Sequence, residues 1–254
     1  MDINISSFIL IFVRVASMLF SIPVIGAKNV PKGFKIGLGF FITMILMHIV
    51  NIDNNIKPDN ISTMVMAIGG EFMIGFIIGL LAKLIFTAVD IAGDIMGVQM
   101  GFSIANVIDP QTSAQVPIVG TFQSLLCALI FLSINAHHYF LAAIAESFNI
   151  IPPLRFALSG ELLNSVVRFV GEIFILAIKI GAPVMVALLI TNVAMSIVSK
   201  TMPQMNLMAI GFPITIISGL IIMSLSLPLF GYLMQRIFED MQGNMLNMLT
   251  IMGR

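Results

Sequence analysis

Charged side chains are scarce in this sequence, at 9% of 254 residues, where a water-soluble chain carries roughly 25%. Apolar residues make up 59% and the mean hydropathy is +1.08, so lipid or another apolar protein surface must cover what polar groups do not. Cysteine is almost missing. Cys127 stands alone in an apolar run, which excludes an intramolecular disulfide and a multi-cysteine metal site. Its expected role is that of a small hydrophobe facing a neighbouring helix. The net charge is zero, leaving no basic footprint for nucleic acid. His137 and His138 are adjacent and His48 is solitary, a spacing that does not build a metal site. No Ser-His-Asp arrangement and no phosphate loop can be assembled, so neither catalysis nor a cofactor is expected. A basic flank for a secretory signal is missing too: Asp2 precedes the first apolar run, and the first positive residue, Arg14, lies inside it. Residues 5–25 are therefore expected to form a retained first membrane helix.

Long apolar runs are what the chain has in abundance. A spanning helix needs about 20 apolar residues, because each adds 1.5 Å across a core of roughly 30 Å. Six regions meet that need: 5–25, 34–52, 61–89, 116–134 extended by 138–151, 162–199, and 207–234. The runs do not alternate, which argues against a β-barrel, and unpaired backbone is costly in lipid. The fold class is an all-α integral membrane protein. Gly181 and Pro183 fall near the middle of 162–199 and predict a broken helix or hairpin there. The polar patch from Asn135 to His138 interrupts 116–151 in the same manner. Lys28, Lys32 and Lys35 around the first break make that loop cytoplasmic by the positive-inside rule.

Charge inside these runs must face protein or water. Arg14 lies halfway along the first run and Glu71 ten residues into the third. They are candidates for an assembly-stabilising ion pair, for a direct part in transport, or for snorkelling. Arg168, Glu172 and Lys179 fall within about 40° on one helical face, and Lys83, Asp90 and Asp94 repeat that arrangement. Such stripes suggest a helical assembly with a polar interior. Gly75 and Gly79, then Gly93, Gly97 and Gly101, are small-xxx-small faces suited to close helix packing. The stretch from Gly101 to Pro117, GFSIANVIDPQTSAQVP, is polar and punctuated by Pro110 and Pro117, so its helix should stop. It reads either as a connecting loop or as a pore-facing constriction flanked by Met100 and Phe102.

Four stretches resemble the FliR family of the flagellar export apparatus, whose counterparts serve injectisome type III secretion. They are RVASMLFSIPVIG (Arg14 to Gly26) followed by Lys28, Pro31 and Lys32; GEFMIGFIIGL (Gly70 to Leu80); DIAGDIMGVQMGFSIANVIDPQTSAQVP (Asp90 to Pro117); and MPQMNLMAIGFPITIISG (Met202 to Gly219). The resemblance implies one membrane domain over residues 1–254, with a central polar loop at 106–117. It implies a helical export-gate complex in the bacterial inner membrane at the flagellar basal body. Its partners would be FliP-like, FliQ-like and FlhB-like proteins, and its cargo unfolded flagellar proteins. The family's pore plug maps onto Asn106, Val107, Ile108, Asp109, Pro110, Gln111, Thr112, Ser113, Ala114, Gln115 and Val116. Pro203 and Gln204, with Gly211 and Pro213, match the family's PQxN…GFP stretch. The rival from the residues alone is a proton-coupled carrier using Glu71, Asp90, Asp94 and Glu172, for which no internal repeat is found. A scaffold that nucleates assembly without lining a conduit is a third reading.

Overall fold

The computed structural model describes residues 5–50, 60–102, 117–204 and 207–253. Among these residues all regular structure is helical: α1 (Ile5–Ser21), α2 (Pro23–Gly26), α3 (Lys32–Ile49), α4 (Ile61–Met100), α5 (Ile118–Ser133), α6 (Ala136–Ile150), α7 (Gly160–Thr201) and α8 (Leu207–Met252).

The expected six apolar regions become four or five candidate spans. Helices α3, α4 and α7, and Ala209–Met252 within α8, are long and apolar enough to cross a membrane, and α5 with α6 forms a pair bent by 64° that counts as a fifth if taken as one span. Region 5–25 does not form the single spanning helix expected. Its helix has 17 residues, about 26 Å at 1.5 Å per residue, and it stops where Ile22 turns extended ahead of Pro23. The residue before a proline is pushed out of the helical region, so the break follows from Pro23.

The α5–α6 bend lies at the polar patch. Asn135 takes the left-handed conformation, φ 56°, which asparagine tolerates better than most residues. Region 162–199 behaves differently from expectation: α7 is continuous for 42 residues with Pro183 inside it. A proline removes one backbone donor, and membrane helices tolerate that loss when neighbours compensate. Gly181 is a contact point here instead of a hinge, since a Cβ there would sit 3.0 Å from the Met185 sulfur and 3.7 Å from Met96 Cγ.

Helices α4, α7 and α8 have 40, 42 and 46 residues, or about 60–69 Å, twice a bilayer core of roughly 30 Å. The chain divides into two compact units: residues 1–85, 131–171 and 237–254 in the first, 86–130 and 172–236 in the second. In the first unit Phe131 meets Phe140 and Phe238, with ring centroids 6.0 and 5.3 Å apart. Met241, Met245, Met248 and Met252 are buried there along one face of α8. In the second unit Val89, Ala92, Met96 and Met100 of α4 are buried, and the Cys127 sulfur lies 3.9 Å from that of Met234. Of the most apolar stretch of α4, 61% is buried, against 17% in α8. Helix α4 is thus a core element, and α8 presents apolar surface that lipid or other subunits must cover.

Candidate functional site

In the first unit the structure brings Arg14 and Glu71 together. Arg14 Nε donates to Glu71 Oε2 at 2.5 Å. The guanidinium also donates to Ser147 Oγ at 2.9 Å and to the Ile151 carbonyl at 3.0 Å. Its carbon lies 4.0 Å from the centroid of the Phe148 ring. Both charged residues are buried. Arg14 thereby ties α1 to α4 and to the C-terminal end of α6, using the fork geometry that makes arginine suited to buried pairing. Sequence reasoning nominated Glu71 and missed the α6 partners. Ser147 lies on α6 and the Ile151 carbonyl just beyond its end, and a main-chain carbonyl partner leaves no mark in a sequence.

Glycines set the spacing of α1 on α4. A Cβ at Gly75 would overlap the Arg14 carbonyl and Ser17 Oγ, and one at Gly79 would lie 2.8 Å from the Met18 carbonyl. Nearby, Lys35 is buried and its Nζ donates to the Gly26 and Ala27 carbonyls, each at 2.8 Å. A cation at a helix C-terminus meets carbonyls that lack intrahelical partners, so Lys35 holds the end of α2. Lys28 and Lys32 are exposed.

In the second unit α4 and α5 form an antiparallel hairpin. Ser124 Oγ donates to the Asp90 carboxylate, a Cβ at Gly93 would overlap Gly120, and one at Gly97 would have Val119 at 3.8 Å. These pairings run in opposite chain directions, so the hairpin's Met100 end is also its Pro117 end. Asp94 lies against Gly120, its Oδ1 3.1 Å from where a Cβ would stand. Gly101, the third glycine of that stripe, lies just beyond the last residue of α4. It follows α4 with φ 94° and its N–H donates to the Val98 carbonyl at 3.0 Å, a left-handed helix terminus that favours glycine.

Met100 is buried. Its carbonyl accepts from Thr215 Oγ1 at 3.1 Å, and its side chain fills the space that a Cβ at Gly219 would take. Phe102 is half-buried. Asn106, Val107, Ile108, Asp109, Pro110, Gln111, Thr112, Ser113, Ala114, Gln115 and Val116 lie outside the described residues. Pro203 and Gln204 form the turn after α7, while Gly211 and Pro213 belong to the first turns of α8.

The two charge stripes lie at the surface of the chain. Lys83, Asp90 and Asp94 are exposed on α4; on α7 Arg168 and Lys179 are exposed and Glu172 is half-buried. Lys179 falls near the middle of a helix long and apolar enough to span a membrane, where a cation requires protein or water beside it. His137 and His138 contact each other edge to face at 4.3 Å.

The family described as bacterial export proteins, family 1, matches residues 5–241. The chain is similar to the flagellar biosynthetic protein FliR of Bacillus subtilis, 34% identical over 97% of this chain and 96% of the relative. It is similar to the protein of that name from Aquifex aeolicus, at 30% over 91% of this chain and 89% of the relative. The Escherichia coli FliR is 27% identical over 89% and 86%. Because the family model runs over nearly the whole chain and the Bacillus subtilis relative is matched end to end, the chain belongs to the bacterial export proteins, family 1, among the FliR proteins of flagellar export.

Proposed function

We propose that this chain is a core subunit of the flagellar type III export gate. It forms the channel with FliP-like and FliQ-like subunits, beside an FlhB-like protein, and passes unfolded flagellar proteins across the inner membrane at the basal body. The observation that supports the reading is the anchoring of α4 at Met100 and of α5 at Gly120, on either side of residues 103–116. Thr215 and Gly219 hold Met100 on one side; Gly93 and Asp94 hold Gly120 on the other. A polar, proline-containing sequence between two anchored helix ends suits the plug that the family resemblance implies. Apolar flanks such as Phe102 resist hydration in a closed pore. The surface supports a subunit in preference to a free-standing carrier: the most apolar stretch of α8 is mostly uncovered, and Lys179 is exposed near the middle of the apolar helix α7. The test is co-expression with FliP-like and FliQ-like subunits. Their joint recovery on a tagged version of this chain is expected. A stable monomer in detergent that never retains them would overturn the reading.

A further inference from the structure

Residues 151–159 carry the chain from α6 to α7 within the first unit, and they contain no helix. Pro152 and Pro153 have no backbone N–H to give. A turn follows, in which the Arg155 N–H donates to the Pro152 carbonyl at 3.1 Å. Leu154 occupies its third position with φ 72°. Proline second and a positive φ third make the pattern of a type II turn, whose third position suits glycine. An L side chain there crowds its own backbone. The strain is not offset by burial, since Leu154 is 44% exposed.

Beyond the turn this strap returns to the body of the unit. Phe156 lies on α4, where a Cβ at Gly70 would stand 3.1 Å from the Phe156 Cβ. The Ala157 N–H donates to the Met252 carbonyl of α8 at 3.5 Å, a long bond. Gly253 leaves room for the start of the strap: a Cβ there would be 3.0 Å from the Ile150 carbonyl and 3.4 Å from the Ile151 side chain. The Ile151 carbonyl accepts from Arg14, and Gly70 immediately precedes Glu71. The strap therefore meets both halves of the buried ion pair, through Arg14 itself and through the residue beside Glu71. Among the described residues, the bond from Ala157 to Met252 is the only backbone hydrogen bond from 152–157 to another part of the fold. Segments held this lightly are the first to open in a folded protein.

We propose that residues 152–157 are a strap that opens as one unit with the end of α8, residues 249–253, and so admits water to Arg14 and Glu71 while α1, α4 and α6 stay helical. Lifting the strap breaks one long backbone bond and relieves Leu154. Reaching the pair by parting α1 from α4 would instead undo the close seam at Gly75 and Gly79. The strap is the easier route, and it makes the hold of Arg14 on α6 depend on a connection outside any helix.

Thiol labelling reads the exposure of the pair, and hydrogen exchange reads the strap. Ser147 is buried beside the guanidinium, so Ser147→Cys in a Cys127→Ala background places a reporter there. N-ethylmaleimide is added to membranes holding the full chain. Gly70→Ala crowds Phe156 and should speed labelling about tenfold. Leu154→Gly suits the turn and should slow it about threefold. In the purified full chain, exchange at residues 154–157 and at 250–253 should shift in the same direction as labelling in each variant, with α3 unchanged. Labelling indifferent to both variants would overturn the cover, and exchange at 250–253 that fails to follow the strap would overturn the single opening unit. A rise in exchange throughout α3 and α4 in Gly70→Ala would mean general loosening and would sink the proposal too. If Gly70→Ala does not fold, Leu154→Gly decides alone: labelling as fast as in the parent, or faster, overturns it.

Discussion

Arg14 and Glu71 illustrate how little one buried charge tolerates. The pair is enclosed by protein, and the guanidinium's other donors end on Ser147 and the Ile151 carbonyl. Removing one charge leaves the other buried without compensation, which typically costs about 3–5 kcal/mol, whereas replacing both by apolar residues is often far milder. Glu71→Gln is therefore expected to lower the thermal midpoint of the purified assembly markedly, and Arg14→Met with Glu71→Leu to recover much of it. A double variant as unstable as the single one would mean that the Ser147 and Ile151 contacts, not the ion pair, dominate. The same chemistry bears on transport. A carboxylate already engaged by a guanidinium is poorly placed to cycle a proton, which weakens the carrier reading of Glu71.

At the scale of elements, the α4–α5 hairpin offers a contrast between two glycines of one stripe. Gly93 meets the backbone of Gly120, while Gly97 has Val119 at ordinary contact distance. Gly93→Ala must push the helices apart, an overpacking cost of about 1–3 kcal/mol; Gly97→Ala should be accommodated. Folded yield by fluorescence-detected gel filtration separates them, and equal losses would contradict the seam. Hydropathy reads these helices only in part. It ends the third apolar run at residue 89, yet α4 continues to Met100. Charges at Asp90 and Asp94 interrupt hydrophobicity without interrupting backbone hydrogen bonds, because they stay on one face. It likewise ends the last run at 234, although α8 reaches Met252. There the methionines at 241, 245, 248 and 252 carried a helical period that was open to be read. Pro183 misled in the other direction, since a local breaker does not reveal the packing that holds α7 together. The Arg14–Glu71 pairing was within reach because charges in apolar runs are few. The packing of Phe156 on Gly70 was not, as neither stretch marks the other until the chain folds.

For the whole molecule, the export reading predicts a leak. Deleting Val107 to Gln115 should raise membrane conductance, or sensitivity to a normally excluded solute, in cells expressing the deletion with its partners. Much of the complex should persist in a pull-down, because the helix ends at Met100 and Gly120 keep their contacts. An assembled complex as impermeable as the unmodified one would remove the plug role from this segment and leave family membership untouched. Assembly also has an order imposed by the ribosome. The partners of Arg14 lie 57, 133 and 137 residues further along the chain. At a synthesis rate of about 5–20 residues per second, Glu71 arrives roughly 3–11 s after Arg14, and Ser147 roughly 7–27 s after it. For that interval α1 is a helix with an unanswered cation that lipid receives poorly. A segment made before its partners is thus completed only after them, and the nascent chain must shelter Arg14 at the membrane surface or in the insertion machinery until α4 and α6 come to enclose it.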